Sequence, residues 1–66
     1  MLNKQTLKRG DLVTLKRMGQ PNYRGVVLET FDRPDWPSAR IIFFYGHGKS
    51  KEVEVNQNLY GLRKIT

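Results

Sequence analysis

The chain contains no cysteine. Disulfide bridges and thiolate metal centres are therefore both excluded. Its single histidine, His47, cannot build a zinc site on its own. Long apolar runs are missing too. The longest, Ile41 to Tyr45, falls far short of the roughly 20 residues a spanning helix needs, so no membrane is expected as a partner. Met1 to Arg9 holds no apolar run of the signal-peptide kind, and a cytoplasmic location is expected. Carboxylates are scarce: six Asp and Glu stand against twelve Lys and Arg, a formal charge of +6. Sixty-six residues make one domain, 1–66. A domain this small buries only about 60% of its unfolded surface. Without disulfides or metal it must rely on its core or on a partner subunit, which implies a monomer or weak homo-oligomer.

Chemistry is equally thin. A nucleophile needs a base beside it, yet His47 sits between Gly46 and Gly48, and Ser38 and Ser50 fall in turns. Glu52 and Glu54 read as the solvated side of a strand. Gly46-His47-Gly48 is too short for a phosphate loop and no helix follows it. The expectation is a protein that is not an enzyme, with no catalytic residue, metal or cofactor.

What remains is a series of short β-branched and aromatic runs separated by breakers, which indicates an all-β domain. Strands are expected at Leu12–Arg17, Gly25–Phe31, Ala39–Tyr45, Ser50–Val55 and Leu62–Ile65. Pro34 and Pro37 deny amide donors to a ladder, so Asp32–Ser38 is a loop. Gly46-His47-Gly48 is a tight hairpin connection. Asn56–Tyr60 suits one short helical turn before the last strand, and Lys4–Leu7 suits another. Alternation places Val13, Leu15, Ile41, Phe43, Val53 and Val55 inward, joined by Leu62 or Ile65. The second strand is apolar on both sides, which leaves its register open.

The order of parts resembles a five-stranded SH3-like barrel. Lys8-Arg9-Gly10-Asp11-Leu12-Val13-Thr14-Leu15, followed by Arg24-Gly25-Val26-Val27, is similar to the Gly-Asp-x-Val … Gly-x-Val opening of KOW-type small barrels of ribosomal proteins and transcription factors. Over nearly its full length the chain resembles the short SH3-like proteins of tailed bacteriophages, through the Gly-Asp-Leu-Val start, the Gly-x-Val strand and the final Leu62-x-x-Ile65. A phage origin would make the location the host cytoplasm. Arg9-Gly10-Asp11-x-Val13 is also similar to a basic SH3-like subunit of photosystem I, a family that helps dock an acidic electron carrier. These motifs mark turns and core. They imply a fold and leave the partner open.

Charge and aromatic content imply a partner that is nucleic acid or an acidic protein. In SH3-like barrels the first two loops lie side by side, so Tyr23 and Trp36 are expected to share a surface. Lys16, Arg17, Arg24, Arg33 and Arg40 flank those loops. Cations beside aromatic rings grip nucleic acid by phosphate attraction and base stacking. Arg24 and Arg33 have an alternative use in ion pairs with Asp32 and Asp35. The rival reading is a protein-interaction module, a host-protein modulator or a virion component. If Ile41 and Phe43 face inward, Ile42 and Phe44 face outward, and with Trp36 they suit a protein contact. Met1–Leu7 folding over them is the plain alternative.

Overall fold

A computed structural model of the protein describes residues 6–65. Its elements are β1 (Leu12–Leu15), β2 (Tyr23–Asp32), β3 (Pro37–Phe44), β4 (Ser50–Asn56) and β5 (Leu62–Lys64). They form one antiparallel sheet in the order β4-β3-β2-β1-β5. The all-β expectation holds, and each expected strand lies within two residues of an observed one. The sheet is not closed into a barrel: β4 and β5 are its two edges and do not pair with each other.

Register decides the inner face. Val13 opposes Gly25, which opposes Phe43; Val27 opposes Ile41, which opposes Val53. Val13, Val27, Ile41 and Phe43, with Leu7, Leu15, Ala39 and Leu62, make the buried core, and Tyr23, Val53 and Val55 pack against it half-buried. Gly25 belongs there because Phe43 lies across it. A Cβ at that position would meet Ile41 Cγ2, the Ile42 carbonyl oxygen and Phe43 Cδ1, each at 2.8 Å. The ladder between β2 and β3 shifts between Val27 and Glu29, leaving Leu28 as an unpaired bulge residue. A bulge of this kind bends its strand and raises the local twist.

Two expectations are corrected. The expected Asp32–Ser38 loop narrows to residues 33–36, because Asp32 opposes Pro37 and Phe31 opposes Ser38 on paired strands, which puts Ser38 in β3 rather than in a turn. Asn56–Tyr60 is not a helical turn among the described residues. Asn56 accepts the amide of Asn58 on its side-chain Oδ1 (2.8 Å) and that of Leu59 on its backbone oxygen (2.9 Å), and Leu62 N–H then bonds Leu59 O (3.0 Å). Asn side chains compete in this way with helical bonding, and the result is two successive turns. Of the two residues offered for the last inward position, Leu62 is the buried one, while Ile65 is 54% exposed and its amide bonds Leu12 O.

Buried Gln57 closes the end of the sheet away from the hairpin. Its Oε1 accepts the Leu7 amide (3.0 Å), its Nε2 donates to Ser38 O (3.0 Å), and its own amide bonds Pro37 O (2.9 Å). The expected turn at Lys4–Leu7 and the cover over Ile42 and Phe44 by Met1–Leu7 lie mostly outside the described residues.

Candidate nucleic-acid interface

Strand register brings three loops to one end of the sheet. Leu15 opposes both Tyr23 and Leu62, Arg24 opposes Phe44, and Phe44 opposes Ser50. The β1–β2 loop, the β3–β4 hairpin and the turn entering β5 are therefore neighbours. Residues 14–25, 43–51 and 59–63 carry Lys16, Arg17, Arg24, Lys49, Lys51 and Arg63, and not one carboxylate. The opposite half of the sheet, residues 26–42 and 52–58, holds five of the six carboxylates: Glu29, Asp32, Asp35, Glu52 and Glu54. Within those stretches Arg33 and Arg40 offset them, and Arg9 lies beside Glu29 from outside them. Charges that scatter along the sequence are segregated in the fold.

The basic end is concave in two places. A cleft of about 630 Å³ lies between the β1–β2 loop and the β5 turn, lined by Thr14, Lys16, Met18, Asn22, Tyr60, Gly61 and Arg63. Its walls are joined where the Lys16 amide bonds Gly61 O (2.9 Å). Gly61 has φ +89°, and a Cβ there would collide with the Lys16 carbonyl oxygen. Only glycine permits this closure. A second depression of about 500 Å³ faces β4 and includes Arg17, Tyr23, Phe43, Tyr45 and Lys51.

Of the residues expected to bind, Lys16, Arg17 and Arg24 are exposed at this end. Tyr23 is half-buried there; its hydroxyl donates to Gln20 Oε1 (2.9 Å), and the ring packs on the core. Arg33, Trp36 and Arg40 lie in the other half. Tyr23 begins β2 and Asp32 ends it, so about 30 Å of strand, at roughly 3.3 Å per residue, separates Tyr23 from the Trp36 loop. The shared Tyr23–Trp36 surface is corrected accordingly: the ten-residue β2, bulged at Leu28, places its two loops at opposite ends of the strand. Trp36 is half exposed.

Arg33 is engaged within the fold. Its Nε and Nη2 donate to Glu54 Oε2 and Oε1, both at 2.9 Å, and its guanidinium lies 4.6 Å from the Phe31 ring centre. Ser38 Oγ donates to the same carboxylate at 2.6 Å. Hydrogen bonds from Arg33 and Ser38 hold the Glu54 carboxyl down at about 2, and the Glu54 carboxylate in turn pushes the Arg33 guanidinium up. Arg40 opposes both Glu29 and Glu54 and lies 5.7 Å from Phe31. Among the described residues Arg24 makes no ion pair, and Asp32 and Asp35 pair with neither arginine.

Comparison with known protein families, characterised proteins and solved structures finds no match to this chain. The site is therefore read from its own residues. His47 sits exposed at the hairpin tip with φ 53°, and among the described residues no group of His, Asp or Glu could hold a metal.

Sequence reasoning missed Met18, Tyr60 and Arg63, because it weighed only the first two loops. Tyr60 beside Gly61 was the available signal: an aromatic next to a turn glycine and three residues from Arg63. The outer sheet face carries the other expected feature. Leu12 opposes Val26, Val26 opposes Ile42, and Ile65 bonds Leu12. With Phe44, 48% exposed, these side chains form an apolar stripe across the strands.

Proposed function

We propose that the domain is a non-enzymatic binding module of SH3-like form that holds nucleic acid at its basic end. The strand order, the bulged β2 and the hairpin support the SH3-like reading. The observation that carries the function is the charge segregation: six cations and no carboxylate share one end of the sheet. Cations gathered without counter-charges focus a positive potential and attract polyanions. An acidic protein would answer the charge alone. Nucleic acid answers the exposed Tyr60 and Met18 between Lys16 and Arg63 as well, because bases stack where phosphates are gripped. Arg24 takes part from the edge of this surface, whereas Arg33 is held by Glu54 and Arg40 lies in the other half of the sheet, opposite Glu29 and Glu54. The resemblance to short phage-encoded proteins fits such a role in a host cytoplasm.

The test is the anisotropy of a labelled single strand of about 12 nucleotides, titrated at several salt concentrations. Affinity should fall with salt by about 0.7 log units per decade for each phosphate contacted. Lys16→Ala, Arg17→Ala and Arg24→Ala should each weaken binding and lower that slope by about 0.7, while Arg33→Ala leaves it unchanged. Absence of any salt-dependent affinity tighter than about 10⁻⁴ M overturns the reading.

A second reading, a protein contact, rests on the apolar stripe from Ile65 to Ile42 and Phe44. Its most economical occupant is a second copy of the chain. A half-turn about the stripe sets the Arg24 row of one copy over the Glu29 row of the other, and Phe44 over Arg40. Concentration-dependent sedimentation, with the salt titration negative, favours this reading.

A further inference from the structure

Resting on the nucleic-acid reading, we infer that the cleft between the β1–β2 loop and the β5 turn receives an unpaired base, which makes the ligand single-stranded. Its volume, about 630 Å³, lies within the range of small-molecule sites. The lining divides by chemistry. Lys16 and Arg63 supply charge for phosphates, and Asn22 supplies an amide that can both donate to and accept from a base edge. Tyr60 and Met18 supply a ring and a polarisable thioether.

Tyr60 is 97% exposed and Met18 is fully exposed. Among the described residues neither has a hydrogen bond or ring contact to hold it, in contrast to Tyr23, which packs on the core and bonds Gln20. A fully solvated ring contributes nothing to folding, but it is free to stack. The cleft itself is fixed on both sides. Gly61 locks one wall to β1, and the bond from Tyr23 to Gln20 braces the loop that forms the other. A duplex would present its phosphates to the same cations, yet its bases are stacked internally and could not enter.

The experiment compares Tyr60→Leu with wild type on a single strand and on a duplex of the same sequence, at one salt concentration. An exposed position makes the change harmless to folding, which a thermal melt verifies. Wild type should prefer the single strand, and Tyr60→Leu should lose about 5- to 150-fold on it, the equivalent of one lost stack. Duplex binding should not change. A strand bearing abasic sites should bind wild type no better than the intact strand binds the variant. Equal affinity for both forms, or an equal loss on both, overturns the single-strand inference and leaves the nucleic-acid reading standing. Failure of wild type to bind either form with any salt dependence overturns that reading instead.

Discussion

Glu54 shows how one carboxylate can absorb a candidate site residue. It accepts two hydrogen bonds from Arg33 and one from buried Ser38, and all three favour the charged form. Its carboxyl is held at about 2 against an ordinary 4.5. A group depressed on folding stabilises above its unfolded value and loses that contribution as pH falls through the folded one. Stability should therefore decline between about pH 4.5 and 2. Glu54→Gln, which keeps an acceptor for Ser38, should flatten that decline in thermal melts recorded across the acid range. An acid limb as steep as that of wild type would show that Glu54 is not linked to folding. Arg33 looked from the sequence like a phosphate ligand, or a partner for nearby Asp32 or Asp35. Its real partner lies 21 residues away. Pairing across a sheet depends on register, and nothing local to Arg33 announces it.

At the scale of elements, legibility followed alternation. β3 and β4 alternate cleanly, and their inward residues Ile41, Phe43, Val53 and Val55 were readable from the pattern alone. β2 is apolar on both sides, and the bulge at Leu28 shifts its register partway along, so no single alternation describes it. The helical turn failed because Asn56 bonds the next amides itself. Gly25 looked like part of a strand-opening motif, but its physical role is to leave room for Phe43. Gly25→Ala would put a methyl group 2.8 Å from the Ile42 carbonyl oxygen, on a paired strand that cannot withdraw cheaply. The cost should be about 1–3 kcal/mol, as for other overpacked cores. Urea denaturation measures it: an unchanged midpoint would mean that β2 and β3 are less tightly apposed than described.

For the whole molecule, charge total was legible and charge placement was not. The count of +6 pointed to an anionic partner, but the two-loop site depended on loops that a ten-residue strand keeps apart. The same segregation carries a cost for the free protein. Six cations crowd one end of a molecule only 37 × 23 × 22 Å in extent, with no carboxylate among them. At about 10 mM salt the screening length is roughly 30 Å, so every one of those charges feels the others; at 150 mM it is roughly 8 Å. Among the described residues only two ion pairs, Arg33–Glu54 and Lys64–Asp11, stand to be weakened by the same screening. Both are partly solvated, and such pairs contribute little. Repulsion should dominate, so the melting temperature of the free protein should rise between those two salt concentrations. A bound oligonucleotide replaces salt as the neutralising agent, and its own stabilisation grows with ligand concentration over Kd. The increment it adds should therefore be largest at low salt and shrink as salt rises, opposite in sign to the trend of the free protein. A melting temperature that falls steadily with salt, with and without oligonucleotide, would mean that attractive pairs outweigh the basic end, and that the segregated charge is not poised for an anion.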